Sequence, residues 1–92
     1  MYATVRSYAD PALAAALAAR ADEIRGVIRA VPGFHAYYLV AADSGTVSVT
    51  VCDDQAGAEE SNRVASDWLK TNMPELGGAT PRVSAGEVLI DA

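Results

Sequence analysis

TVSVTVCDDQAGAEESNRVASDW, residues 46–68, reads as a β-strand that runs directly into an α-helix. Valines alternate with small polar residues from Thr46 to Cys52, which is the period-two pattern of a strand with one apolar and one polar face. Asp53 and Asp54 end this alternation. Because an Asp carboxylate accepts hydrogen bonds from the free N–H groups of a helix's first turn, we predict that a helix follows, from about Gln55 to Met73.

The residues before this junction predict a strand, a helix and a second strand. Polar and apolar residues alternate over Tyr2–Tyr8, and Asp10-Pro11 supplies the N-cap and first-turn residues that favour a helix start. Apolar side chains at three-to-four-residue spacing continue this helix to about Ala30, where Val31-Pro32-Gly33 ends it. The aromatic-rich stretch Phe34–Ala41 is the second predicted strand.

Two turns and a last strand complete the chain. Asp43-Ser44-Gly45 predicts a hairpin loop in which Gly45 takes a positive φ. Pro74 and Gly77-Gly78 end the second helix, and the last strand is predicted over Arg82–Ile90. With right-handed crossovers, the β-α-β-β-α-β order predicts a single α+β domain over residues 1–92. Its fold is ferredoxin-like, with a four-stranded antiparallel sheet and two helices on one face.

This arrangement leaves the second face of the sheet without helices. We predict that the polar side chains of the first and third strands lie on this open face, namely Tyr2, Thr4, Arg6, Tyr8, Ser48, Thr50 and Cys52. Such a face is too apolar to contact only solvent and too polar for an ordinary core. We therefore expect a homodimer that pairs the open sheet faces of two copies.

The acidic composition argues against nucleic-acid binding. The chain has 12 acidic and 7 basic residues, a net charge of −5, and its basic residues are scattered. Cys52 is the single cysteine, which excludes an internal disulfide and a cysteine-rich zinc site, and we expect it to pack as a small apolar residue. The N-terminus lacks a signal-peptide pattern and no apolar run is long enough for a bilayer. We therefore expect a cytoplasmic protein that does not contact membranes.

The chain resembles the dimeric α+β barrel superfamily and, within it, the antibiotic-biosynthesis monooxygenases. The features that carry the resemblance are the N-terminal strand, the helix ending in Val31-Pro32-Gly33-Phe34, the TVSVTVCDDQAGAEESN junction and the final strand near residues 83–90. The resemblance implies a dimer of facing sheets, with a ligand cavity between each sheet and its own helices. It also implies chemistry without a metal or another cofactor.

His35 and Asn62 are the candidate catalytic residues. Because histidine is a common general base in enzymes, His35 could act as one, or it could be a partly exposed strand residue or one at the dimer seam. Asn62 falls near the buried face of the second helix, where its amide needs a hydrogen-bond partner. That partner is either a bound aromatic ligand or a nearby strand or loop.

Arg6, Tyr37, Tyr38 and Trp68 are the candidate substrate-binding residues. Because Tyr37 and Tyr38 are adjacent, they point to opposite faces of their strand, and one of them lines the cavity or the dimer seam. Arg6 either neutralises an acidic ligand or pairs with Glu87 across the sheet. Trp68 belongs either to the cavity wall or to the core.

The sequence leaves two kinds of function open. The first is a small cofactor-independent monooxygenase, or a polyketide cyclase-like enzyme, that acts on an aromatic or polyketide-like molecule in the cavity. The second is a non-catalytic dimer of the same fold that binds a small molecule or has a structural role. Haem degradation is not expected, because the Asn, Trp and His that haem-degrading members of the superfamily use are not found on the corresponding strands and helix.

Overall fold

The computed structural model describes residues 1–75 and 80–92, and in these residues it contains one four-stranded sheet and three helices. Along the chain the elements are β1 (Tyr2–Tyr8), α1 (Ala12–Ala18), α2 (Ala21–Arg29), β2 (Phe34–Ala42), β3 (Gly45–Cys52), α3 (Gln55–Asn72) and β4 (Arg82–Glu87). The predicted helix end at Gly77-Gly78 lies outside the described residues.

The sheet has the strand order β2-β3-β1-β4, and every neighbouring pair is antiparallel. This is the ferredoxin-like α+β arrangement, so the predicted fold class is confirmed. β2 and β4 are the edge strands. β4 ends at Glu87, short of the predicted Ile90, and the apolar side chains of Leu89 and Ile90 are both 88% exposed.

The first predicted helix is two helices. Its start is as expected, because the Asp10 carboxylate accepts a hydrogen bond from the Ala12 N–H at 2.9 Å. The helix then breaks at Arg20, whose φ of −119° and ψ of 33° are not helical. The alanine-rich sequence contains no helix breaker there. Tertiary contacts of the Arg20 side chain, described below, therefore override local helix propensity.

The two faces of the sheet are the reverse of our prediction. Every second residue of β1 and β3 from Thr4 to Tyr8 and from Thr46 to Cys52 is buried. Except for Thr46, these are polar side chains that we assigned to the open face: Thr4, Arg6, Tyr8, Ser48, Thr50 and Cys52. They lie beneath the helices. The open face instead carries the valines, which form rows with alanines and with Tyr38 and Val40 of β2.

The apolar core lies between this polar sheet face and the inner sides of the helices. Its buried members come mostly from the helices and are Tyr8, Leu13, Leu17, Ile24, Ile28 and Leu69. Helix stripes with three-to-four spacing account for these positions. The helices thus supply most of the hydrophobic surface of the interior, while β1 and β3 supply hydroxyl groups and one guanidinium.

Gly45 takes the positive φ that we predicted, 159°, a backbone conformation that L side chains rarely adopt. A close approach of two chain segments constrains it as well. A Cβ at this position would lie 2.0 Å from the carbonyl oxygen of Tyr8 at the end of β1. No side chain larger than hydrogen fits at that distance without a backbone shift.

Asp54 caps α3, and its removal should lower stability by about 1 kcal/mol. Its carboxylate accepts a hydrogen bond from the Gly57 N–H at 2.9 Å, which satisfies one free donor of the first helical turn. We expect Asp54→Ala to show this loss in urea unfolding, and Asp54→Asn to retain most of the stability. The neighbouring Asp53→Ala is the matched control, with an expected change below about 0.5 kcal/mol. Equal losses at the two positions would contradict the capping role.

Candidate functional site

A small cavity lies between the sheet and the helices. Its volume is about 30 Å³, enough for one or two oxygen-sized groups. Most of its wall is apolar. The side chains that line it are Arg6, Tyr8, Leu17, Ile24, Val27, Ile28, Tyr37, Leu39, Ser48, Ala65, Trp68 and Leu69.

A wider groove adjoins the cavity at the edge strand β2. Its volume is about 520 Å³, within the range of ordinary small-molecule sites. The groove and the cavity share five wall residues, namely Leu17, Ile24, Ile28, Tyr37 and Leu39. The two spaces therefore form one cleft, with a narrow inner end that carries Arg6 and Ser48 and a broad outer end whose lining includes Arg25 and Arg29.

Arg6 is the charged group at the inner end of the cleft. It is 3% exposed, and its Nη1 donates to the Asn62 Oδ1 at 2.7 Å. The same oxygen accepts a hydrogen bond from the Thr4 hydroxyl at 3.2 Å. The predicted alternative, an ion pair with Glu87, is wrong, because Arg6 lies opposite Val83 on β4 while Glu87 lies opposite Tyr2.

Asn62 holds Arg6 in place and is not itself among the residues that line the cleft. The sequence left two kinds of partner open for Asn62, a bound ligand or a nearby strand or loop. In the structure its amide oxygen accepts hydrogen bonds from two side chains of β1. Because Asn62 is neutral, it fixes the position of the guanidinium without cancelling its charge.

Two polar atoms at the inner end have no hydrogen-bond partner among the described residues. They are Arg6 Nε and Ser48 Oγ, and each has almost no solvent contact. Arg6 and Ser48 are direct cross-strand neighbours on β1 and β3, and both line the cavity. Thr50 Oγ1 is likewise buried without a partner, but Thr50 is not part of the lining.

Tyr37 lines both the cavity and the groove, whereas Tyr38 lies on the open face with 61% exposure. Burial raises the pKa of the Tyr37 phenol, and the positive charge of Arg6 offsets only part of this effect. Tyr37 is therefore a neutral hydrogen-bond donor at neutral pH. The structure assigns Tyr37 to the cleft and separates Tyr38 from it.

Trp68 forms one wall of the cavity, and Arg20 holds it from outside. The Arg20 guanidinium lies 5.0 Å from the centre of the Trp68 ring, a cation–π distance. Arg20 also bonds to Glu23 at 2.7 Å and to the Asn72 side chain at 3.3 Å. These contacts join the break between α1 and α2 to the last turn of α3.

His35 lies outside the cleft. It is an exposed residue at the start of β2, where the strand pairing is irregular, and its Nε2 pairs with the Asp53 carboxylate. Neither residue lines the cavity or the groove. The structure therefore does not bring His35 together with Arg6, Tyr37 and Trp68.

Cys52 is fully buried, and its pKa is raised by burial and by the neighbouring charges of Asp53 and Asp54. A protonated, inaccessible thiol is a poor nucleophile. Within residues 1–75 and 80–92, no group of three or more His, Cys, Asp or Glu side chains is placed to hold a metal ion. No helix in the same residues has the length and hydropathy to cross a bilayer.

Ser48 and Tyr8 belong to the site but were not predicted as site residues. The alternation in β1 and β3 placed both on the polar face, and we assigned that face to the dimer interface. The signal that could have found them was Arg6 itself. An arginine in a strand with polar residues at every second position is compatible with a buried polar face and with an exposed one. The buried alternative would have placed Ser48 and Tyr8 beside Arg6 in the site.

Solved structures of the same fold include oxygenases. A protein of unknown function from Nitrosomonas europaea is 24% identical over 99% of this chain and 90% of its own, with a TM-score of 0.71. The ActVA-Orf6 monooxygenase of Streptomyces coelicolor, solved with nanaomycin D, is 19% identical over 98% of this chain and 92% of its own, with a TM-score of 0.65. SnoaB, a cofactor-independent oxygenase from Streptomyces nogalater, is 15% identical over 98% of this chain and 91% of its own, with a TM-score of 0.55.

These likenesses establish the fold, a ferredoxin-like α+β fold that the chain shares with oxygenases and with a protein of unknown function. No protein-family model matches the chain, and the search of curated proteins found no match. Because one fold carries many functions, the chemistry has to be argued from the cleft.

Proposed function

We propose that this protein is a cofactor-independent monooxygenase-like enzyme that acts on an aromatic or polyketide-like molecule bound between the sheet and the helices. The observation that carries the proposal is the amphipathic cleft. Its groove of about 520 Å³ has room for fused rings, and its inner end presents Arg6 and Tyr37 to a polar substituent. The oxygenases that share the fold support the choice of reaction class.

The lining of the cleft suggests how such a reaction would be promoted. An electron-rich aromatic substrate reacts with oxygen after it loses a proton. No carboxylate or imidazole is among the described residues that line the cavity and groove, so these lining residues include none of the usual general bases. The lining instead offers a buried positive charge and exclusion of water, and both favour the ionised substrate over the neutral one.

A homodimer through the open sheet face is part of the proposal. That face carries three rows of paired side chains: the middle row includes Val5, Val49 and Tyr38, and Val51 lies in a neighbouring row. A contiguous apolar surface of this kind is rarely left in water. A second copy, presenting the same surface across a two-fold axis, would cover it completely.

Aerobic turnover of anthrone by the purified protein, without added metal or flavin, is the direct test. The methylene carbon of anthrone is oxidised to a carbonyl, so that anthrone and O₂ give anthraquinone and water. One oxygen atom enters the ring ketone, and the other leaves as water with the two hydrogens of the methylene. Incorporation of one ¹⁸O from labelled O₂, at a rate above the protein-free control, supports the proposal.

Tyr37→Phe should reduce kcat/KM for this reaction by roughly tenfold, because it removes one hydrogen bond inside a cleft of low polarity. Tyr38→Phe is the matched control: it makes the same chemical change on the next residue, which lies on the opposite face of β2. We expect Tyr38→Phe to leave kcat/KM unchanged. Equal effects of the two changes would contradict the assignment of the cleft as the site of reaction.

The absence of a general base among the described lining residues also favours a second candidate, a binding protein that performs no reaction. This candidate predicts that aromatic ligands bind and are recovered unchanged after long aerobic incubation. Enzyme-dependent ¹⁸O incorporation would exclude it. Native mass spectrometry of the freshly purified protein would identify any ligand carried from the cell in either case.

A further inference from the structure

Arg6 Nε and Ser48 Oγ are two buried hydrogen-bond donors without a partner at the same end of the cleft. Each residue is 3% exposed, and they face each other across β1 and β3. Buried donors are nearly always paired in folded proteins, and leaving one unpaired costs about 1–3 kcal/mol. Two such donors on one 30 Å³ chamber indicate a site that a ligand atom completes.

The charge at this end of the cleft is uncompensated by any lining residue in the described part of the chain. A guanidinium stays protonated at all ordinary pH values, and the hydrogen-bond partner of Arg6 is the neutral amide of Asn62. The other titratable groups of the lining are Tyr8 from β1 and Tyr37 from β2, while α1, α2 and α3 contribute Leu17, Ile24, Val27, Ile28, Ala65, Trp68 and Leu69. The chamber is therefore electrostatically suited to an anion.

We propose that Arg6 and Ser48 form an oxyanion subsite that binds the single ionised oxygen of a phenolate or enolate. The inference rests on the proposed function and specifies its substrate class. A chamber of about 30 Å³ accepts one such oxygen, while the attached rings occupy the groove. A carboxylate fits less well, because its carbon and two oxygens together need more room than the chamber of about 30 Å³ offers, although the Nε–Nη2 edge of Arg6 is not engaged by Asn62.

The subsite has a chemical consequence for the reaction. An opposite charge within hydrogen-bond distance lowers the pKa of an acidic group by about one to three units. Arg6 would thus shift a bound phenol towards its phenolate without a protein base, and the proton would leave through the open groove to solvent. The bound phenolate would then carry negative charge on its ring system, and O₂ accepts electrons from that ring system.

Binding of 4-nitrophenol tests the subsite without relying on turnover, because its phenolate is yellow and its ionisation can be read by absorbance. We expect the bound probe to have a pKa about one unit or more below that of the free probe. We expect 4-nitroanisole, the methyl ether that cannot ionise, to bind at least about tenfold more weakly at neutral pH. We expect 4-nitrobenzoate to bind more weakly than the phenolate.

Variants of the chain then locate the effect. Ser48→Ala should weaken binding of the phenolate about tenfold, and Arg6→Met should remove the preference for the phenolate over the ether. Asn62→Asp supplies Arg6 with a counter-ion of almost unchanged shape, and it should weaken the phenolate at least tenfold while leaving the ether unaffected. Thr50→Val is the matched control, since it removes a buried, unpartnered hydroxyl that does not line the cavity, and it should change neither affinity.

Equal binding of 4-nitrophenol and 4-nitroanisole would overturn the subsite while leaving the proposed oxygenation open. Tighter binding of 4-nitrobenzoate would overturn the choice of a single-oxygen ligand, and no binding of the phenolate at millimolar concentration would overturn the subsite outright. Ionisation-dependent binding without anthrone turnover would support the subsite and count against the oxygenase. If Arg6→Met does not fold, Asn62→Asp and Ser48→Ala still decide, because each keeps the guanidinium in place.

Discussion

Val49→Asp should convert the proposed dimer into a monomer at micromolar concentration. Val49 lies in the middle row of the open sheet face, between Val5 of β1 and Tyr38 of β2. In a two-fold dimer the change introduces two carboxylates into one apolar interface, and each would lose hydration without gaining a partner. At about 2 kcal/mol or more for each copy, the dissociation constant should rise by about 10³-fold or more.

Sedimentation velocity over a range of protein concentrations would measure this change. Val83→Asp is the control, because Val83 is a partly exposed valine whose side chain lies on the other face of the sheet, opposite Arg6. It should leave the association unchanged. A Val49→Asp protein that stays dimeric at the wild-type concentrations would show that the open face is not the interface. Another surface of the protein would then have to form any dimer, and the valine face would need a different cover.

Gly45→Ala should be more destabilising than alanine at any other glycine in residues 1–75 and 80–92, with an expected loss of about 3 kcal/mol or more. The added Cβ would lie 2.0 Å from the Tyr8 carbonyl oxygen and 3.1 Å from its carbon. Both are backbone atoms, so the conflict cannot be relieved by a side-chain rotation. Either β1 or the start of β3 must move, and Tyr8, which lines the cavity, would move with its strand.

Urea unfolding at a fixed protein concentration would measure the loss, since a dimer's apparent stability depends on concentration. Gly26→Ala is the matched control. Gly26 is inside α2, and a Cβ there would meet no atom within 4 Å. Alanine should therefore stabilise α2 by about 0.5–1 kcal/mol. If Gly45→Ala were as well tolerated as Gly26→Ala, β1 and β3 would not approach each other as closely at Gly45 as we describe.

Asp54 and Gly45 carry the clearest local signals in the sequence, and they show how far such signals can be interpreted. Asp54 ends the alternation of β3 and caps α3 as its position indicates. Gly45 takes the positive φ that its place in the turn indicates, but its second constraint comes from Tyr8, which is far away in the sequence. Neighbouring residues determine a local turn preference, whereas a contact between two strands involves residues that are far apart in the sequence.

The same distinction applies to the candidate site. Arg6, Tyr37 and Trp68 were predicted from their residue types and line the cleft, with Asn62 behind Arg6. His35 and Tyr38 were chosen by the same reasoning and lie outside it, on the surface and on the open face. One residue along a strand reverses the direction of a side chain, so a type-based choice between Tyr37 and Tyr38 has no physical basis until the faces are known.

The sequence by itself determined the order of the elements, the antiparallel ferredoxin-like sheet and the helix start at Asp54, because caps, turns and period-two alternation are local signals. Only the tertiary structure decided which face of the sheet the helices cover. Alternation divides β1 and β3 into a valine face and a polar face, but it does not say which one is turned inwards. The helices cover the polar face, and the proposed dimer would cover the valine face. That choice places Arg6 and Ser48 at the inner end of the cleft, and the proposed chemistry depends on it.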